Sequence, residues 1–202
     1  MSSFINVSEL LSLTQVEGPS LRACIWVQGC IHACEGCCNK ETWAMTKKSL
    51  RATEEVCRWL EHAKEAGAEG LTLLGGEPFL QAPELAVLAQ KAQGLGMGVI
   101  TFTGFTHDNL LIHEKNGDLQ GVSDLLKYSD VLIDGKYDST KPDRERNWVG
   151  STNQRFIYFT ERYTPLMETD PRYKNTVEIR ETFEGLVING TPHFQLEEVV
   201  CD

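Results

Sequence analysis

Apolar residues fall along this chain in short runs separated by stretches of helical spacing. Leu21–Gln28 (LRACIWVQ) is rich in β-branched and aromatic residues and reads as a strand leading into a cysteine-rich loop. Over Ala52–Ala66, Val56, Leu60 and Ala63 form the apolar stripe of a helix. Thr53 is its expected cap, Glu54 and Glu55 suit its positive end, and Gly67 is its stop. Gly70–Leu74 (GLTLL) predicts a short buried strand that ends in Gly75-Gly76-Glu77-Pro78. Pro83 opens a second helix with Leu85, Leu88, Ala89 and Ala92 on one face. Gly98–Phe102, Asp130–Ile133 and Gln154–Phe159 predict three further strands. Asp108–Tyr128 reads as helix in two pieces, broken near Gly117 and Gly121.

Strands alternating with helices predict βαβ units around a parallel sheet, with the site built by loops at the carboxyl ends of the strands. Those loops are the cysteine loop, the Gly75–Pro78 turn, Thr103-Gly104 and Asp134-Gly135-Lys136. A closed eight-stranded barrel takes about 250 residues, whereas this chain has 202. The expected architecture is therefore α/β: a partial, open (β/α)6-type barrel. Beyond Thr160 the chain is polar and turn-rich until Val177–Ile179 and Leu186–Ile188, which alternate like a hairpin around Glu184-Gly185. Residues 1–202 are read as one domain, with a core over about 5–160. The extension over about 161–202 is expected to edge the sheet or cover the barrel mouth.

The formal net charge is −10, which argues against a binder of nucleic-acid phosphates and is read as solubility. No apolar run reaches the length of a membrane helix. Met1–Leu13 has neither the basic region nor the cleavage pattern of a signal peptide, so a cytoplasmic protein is expected.

Seven cysteines then change the picture: Cys24, Cys30, Cys34, Cys37, Cys38, Cys57 and Cys201. An odd number, crowded into one loop, makes a poor disulfide framework. Cys57 reads as a small core residue on a helix, and Cys201 has no assignment. Cys30, Cys34 and Cys37 are spaced by three residues and then two. A [4Fe–4S] cube usually takes one thiolate per iron. Three close thiols without an obvious fourth leave one iron open to a substrate. The other reading is a structural zinc site with Cys24 or Cys38 as fourth ligand, although zinc sites usually pair two separate knuckles.

Read from Trp26, the loop WVQGCIHACEGCCN resembles the C-x-x-x-C-x-x-C loop of the radical S-adenosylmethionine (SAM) superfamily. Within it, the chain is most similar to the activating proteins of anaerobic ribonucleotide reductase, which carry GC-x-H-x-C-x-GC-x-N. Further matches follow in chain order: Glu17-Gly18-Pro19-Ser20-Leu21-Arg22, the Gly75–Pro78 turn, Thr103-Gly104, Asp130–Lys136 and Gly150-Ser151-Thr152-Asn153-Gln154-Arg155. Together they span roughly residues 5–160. The resemblance implies an open radical SAM barrel and a [4Fe–4S] cluster on Cys30, Cys34 and Cys37. It implies SAM-binding positions at Gly36, Cys38, Gly75, Gly76, Glu77, Thr103, Asp134 and Lys136. The glycines would let backbone approach the methionine moiety. Glu77 would accept from its ammonium, Asp134 from a ribose hydroxyl or the ammonium, and Lys136 would face the carboxylate.

The implied reaction is reductive cleavage of SAM to a 5′-deoxyadenosyl radical. That radical abstracts a hydrogen atom, most simply from a glycine of a large partner, an anaerobic ribonucleotide reductase. A flavodoxin or ferredoxin would supply the electron, and neither nucleic acid nor membrane is involved. Two other functions fit the residues: a radical SAM enzyme acting on a peptide or small molecule, as a maturase or a 7-carboxy-7-deazaguanine synthase does, and a non-catalytic iron–sulfur or zinc docking module. The chain departs from the family at Gly36, where many loops carry an aromatic, at Cys38, where activases often do, and at Ser20. Trp43 or Phe105 is then the expected packing partner for the adenine. His32, between two of the thiols, is read as a hydrogen-bonding residue that shapes the surroundings of the metal.

Overall fold

Seven strands form the central sheet of the structure, a computed structural model that describes residues 3–174, 176–182 and 185–190. In chain order they are β1 (Phe4–Thr14), β2 (Arg22–Val27), β3 (Leu50–Ala52), β4 (Gly70–Gly75), β5 (Gly98–Phe102), β6 (Val131–Asp134) and β7 (Arg155–Tyr158). Their order across the sheet is β3-β1-β2-β4-β5-β6-β7. The central four, β2, β4, β5 and β6, are parallel. Helices α1 (Thr53–Glu65), α2 (Ala82–Gly94), and α3 (His107–Asn116) with α4 (Val122–Lys127) make the crossovers between them. The fold is thus α/β and open, as expected, with β3 and β7 as the edges of the sheet among the described residues.

The flanking strands differ from the expected repeat. β1 runs antiparallel to both β2 and β3, and β7 runs antiparallel to β6. The β6–β7 connection carries no helix, so the chain simply returns alongside its predecessor, and only an antiparallel pairing needs no crossover. Neither β1 nor β3 was expected from the apolar pattern. β1 is mostly half-buried beyond Val7, and β3 is only three residues long.

Side-chain alternation divides the sheet into two faces. Ala23, Ile25 and Val27 of β2, with Leu71 and Leu73 of β4, pack against Val56, Leu60, Ala63, Leu85, Leu88, Ala89 and Ala92 of the helices. That is the helical stripe expected for α1 and α2. Thr53 is the first residue of α1 rather than its cap: Ala52 precedes it, and the Thr53 hydroxyl bonds Ser3 Oγ at 2.8 Å. The opposite face carries Cys24, Trp26, Leu74 and Phe102, flanked by Ile100, Val131, Ile133, Trp148, Val149 and Met167. This second face builds the site.

The hairpin is present as β8 (Val177–Thr182) and β9 (Gly185–Gly190), paired antiparallel with Ile179 opposite Ile188. It docks on β1 and the segment after it. Glu178 accepts from the Thr14 hydroxyl, Arg180 reaches Glu9 at 3.0 Å, and Gly190 N–H donates to Glu17 Oε1 at 3.2 Å. Glu184, His193 and Cys201 lie outside the described residues. Among the described residues no helix is long and apolar enough to cross a membrane.

Candidate active site

A cavity of about 650 Å³ opens on the face of the sheet away from the helices. Its floor is Trp26, Leu74 and Phe102, and its rim includes Cys30, Cys34, Cys37 and Cys38. Gly150 and Gln154 form part of another wall, and Ile188 and Asn189 of β9 reach it from the hairpin.

The cysteine loop leaves β2 through Gly29, whose φ of +103° favours glycine. Gly29 N–H donates to Thr42 at 2.8 Å and Cys30 N–H to Trp43 at 3.2 Å. The Gln28 amide donates to the Ala44 carbonyl at 2.8 Å. Each thiol of the triplet is approached by a backbone N–H. Cys30 Sγ accepts from His32 at 3.5 Å and Cys37 Sγ from Asn39 at 3.4 Å. The Tyr137 N–H serves Cys34. Burial raises the Cys30 and Cys34 thiols above their ordinary range, against the pull of these N–H groups. Lys136 adds a further downward pull on Cys34. A thiolate set with an N–H on each sulfur suits an anionic metal–sulfide cluster, whose charge such donors stabilise. Among the described residues no three His, Cys, Asp or Glu side chains are gathered to hold a single ion.

The glycines of the Gly75–Pro78 turn have a reason inside the protein. A Cβ on Gly75 would meet Val27 N at 2.4 Å, and one on Gly76 would meet the Gly29 carbonyl oxygen at 2.2 Å. A side chain on Gly75 would force β4 away from β2, and one on Gly76 would force the turn away from the start of the cysteine loop. Gly75, Gly76 and Thr103 line the cavity, as do Gly36 and Cys38. Glu77 lies behind that wall, fully buried. Its carboxylate accepts from Phe79 N, Thr103 Oγ1, Gly104 N and His32 Nε2, all between 2.8 and 3.0 Å.

Asp134 is likewise fully buried. It holds Arg155 through two contacts, of 2.9 and 2.5 Å, and accepts from His107 N at 2.7 Å. Lys136 is exposed beside Cys34. Neither Asp134 nor Lys136 forms part of the cavity wall, which Gly135 and Tyr137 supply from this loop. The 150–155 stretch braces its neighbours. Gln154 Oε1 accepts from Gly150 N and Ser151 N, and Asn153 donates to the Lys136 carbonyl.

Tyr137 was not singled out in the sequence. Its ring lies between two glycines: a Cβ on Gly36 would be 3.1 Å from it, and one on Gly150 2.8 Å. An aromatic thus packs against Gly36 from a loop a hundred residues downstream. Of the aromatics expected beside the adenine, Trp43 lines the cavity, whereas Phe105 faces the His32 ring at 4.6 Å. Trp26 and Trp148 are buried and also line the cavity.

Comparison with known proteins shows the family to which the chain belongs. The family model for a 4Fe-4S single cluster domain matches residues 16–157. The anaerobic ribonucleoside-triphosphate reductase-activating protein of Enterobacteria phage T4 is 32% identical over 155 residues, covering 75% of this chain and 92% of that protein. The chain belongs to this family of activating proteins. The activating protein of Vibrio cholerae serotype O1 is 31% identical, over 77% of this chain and 99% of its own. That of Pasteurella multocida is 35% identical, over 72% of this chain and 92% of its own. The crystal structure of QueE from Escherichia coli aligns with 52% of this chain and 54% of its own, at a TM-score of 0.42 and 19% identity. As an activating protein with a single-cluster domain, the chain takes a [4Fe–4S] cluster and SAM as cofactors, and the zinc reading is set aside.

Proposed function

We propose that this protein generates a glycyl radical on a partner anaerobic ribonucleotide reductase. Its membership of the activating-protein family carries this reading. The open cavity beside the thiol triplet is consistent with it. When bound, the cluster and SAM supply reductive carbon–sulfur cleavage and hydrogen-atom abstraction from the partner's glycine.

The chain's own residues hold and shield that chemistry. Cys30, Cys34 and Cys37 hold the cluster, and the N–H groups of His32, Asn39 and Tyr137 orient the sulfurs and support their charge. Gly36, Cys38, Gly75, Gly76 and Thr103 form the surface on which SAM lies. Lys136 is the candidate partner of its carboxylate. Glu77 and Asp134 act from behind the wall, fixing the turns that SAM touches. Trp26, Leu74 and Phe102 give an apolar floor that keeps water from the reacting atoms. The open edge of the sheet leaves room for a loop of the partner. The electron donor is a flavodoxin or ferredoxin, and the setting is the cytoplasm.

Anaerobic incubation of the reconstituted protein with dithionite, SAM and the candidate reductase tests the reading. A glycyl radical signal in electron paramagnetic resonance and release of 5′-deoxyadenosine are expected, and their absence with a fully loaded cluster would refute it. Cys34→Ala is expected to abolish cluster absorbance and SAM cleavage together. Cys38→Ser is expected to retain the cluster absorbance, and loss of iron there would show that the thiol set is wrong.

A further inference from the structure

The bond between His32 and Glu77 joins the cysteine loop to the Gly75–Pro78 turn, and both groups are nearly inaccessible, at 6% and 0% side-chain exposure. Four donors converge on Glu77. Oε1 takes Phe79 N at 3.0 Å and Thr103 Oγ1 at 2.9 Å, and Oε2 takes Gly104 N and His32 Nε2, each at 2.8 Å. An ionised carboxylate offers about four acceptor positions and no donor. All four are filled by the protein, one of them by the His32 ring. Glu77 has no acceptor left for an incoming ligand.

The His32 ring also has a slot built for it. A Cβ on Gly104 would lie 2.3 Å from its Cδ2, so only glycine leaves room there. Phe105 closes the other side edge-on, with centroids 4.6 Å apart. The neighbouring loop residues Ile31, Ala33 and Glu35 are exposed. Ala33 sits at φ +47°, a left-handed conformation that persists in a non-glycine residue only where the surroundings enforce it. His32 is thus a buried side-chain anchor of a strained loop, placed between Cys30 and Cys34.

We infer that His32 is a positioning residue, which through Glu77 locks the cysteine loop onto the Gly75–Pro78 turn and so sets the spacing of the thiols before the metal arrives. This rests on the cluster assignment made above. The bond acts through the loop rather than on the substrate: it removes the loop's freedom in the apoprotein, so less order remains to be imposed when the cluster assembles. Partners that hold a metal site's ligands in place typically govern affinity by about 10–100-fold.

The test compares wild type, His32→Ala, His32→Gln and Glu77→Gln after anaerobic reconstitution. The readouts are iron loss to a chelator, the midpoint potential of the cluster, and the apoprotein's circular dichroism. The carboxamide of His32→Gln keeps an N–H within reach of Glu77. The expected result is iron loss about tenfold faster or more in His32→Ala, with a shifted potential and an apoprotein spectrum like wild type. His32→Gln is expected to restore both retention and potential. Combining His32→Ala with Glu77→Gln should cost less than the two separate losses together, because the residues share one bond. Wild-type iron retention and potential in His32→Ala would overturn the inference, as would equal losses in His32→Gln and His32→Ala. A wild-type protein that takes up no cluster would overturn the cluster assignment itself, and this inference with it.

Discussion

Gly76 shows how much of this site is decided by close backbone contact. Adding one methyl there places it 2.2 Å from the Gly29 carbonyl oxygen, and backbone cannot rotate aside as a side chain can. Gly76→Ala is therefore expected to cost about 3 kcal/mol, read as a lower urea midpoint, together with poorer iron loading. Glu17 is a second sensitive position, on the cavity wall. Burial raises its carboxyl above the ordinary range, and Glu178 and Glu9 add to that, while Gly190 N–H and the Asn189 side chain oppose it. A raised native value means that the folded state holds the proton more tightly than the unfolded one. Stability from this group is present at low pH and is lost as pH rises from about 4.5 through the native value. Glu17→Gln keeps an acceptor for Gly190 and removes the penalty. Its thermal midpoint should exceed wild type at pH 8 and approach it at pH 4, and a constant gap across that range would disprove the linkage. The thiol triplet was legible in the sequence because its spacing is local. The partners of Glu77 and Asp134 were not, because His32 lies 45 residues from one and Arg155 lies 21 from the other.

Among the elements, α1, α2, β4 and β5 could be read from the chain because a buried face leaves a periodic apolar trace. β1 and β3 leave a weaker one. β1 is mostly half-buried past Val7, and β3 is too short to repeat. The β8–β9 hairpin was legible as a hairpin, but its place was not. It is tied to β1 and its sequel by the contacts of Glu178, Arg180 and Gly190, and it closes one side of the cavity with Ile188 and Asn189. Deleting residues 176–202 should leave the central sheet folded, with far-ultraviolet circular dichroism close to wild type. Acrylamide should then quench tryptophan fluorescence more strongly, because Trp26, Trp43 and Trp148 line the cavity. Unchanged quenching would show that the hairpin covers nothing.

Over the whole molecule, one buried cation ties the amino ends of the parallel strands together. Arg22 is fully buried. It donates to Thr72 Oγ1 and the Leu71 carbonyl at 2.6 Å, to Tyr163 Oη at 2.8 Å, to the Gly98 carbonyl at 3.1 Å and to the Pro19 carbonyl at 3.2 Å. These acceptors come from the segment before β2, from β4 and β5, and from the chain beyond β7. Arg22→Lys keeps the charge but cannot span them, because an ammonium has three donors and no fork. A loss of about 3 kcal/mol in urea unfolding is expected, since carbonyls are left unpaired in the interior. The sequence by itself determined the metal-ligand loop, the helical stripes, the parallel centre and the order of the loops, all properties of near neighbours along the chain. The tertiary structure alone decided the antiparallel edges, the hairpin wall, the ring of Tyr137 against Gly36, and Glu77 as an anchor for His32. Those depend on which distant segments meet, and a local pattern of apolar and polar residues does not record the partner across a contact.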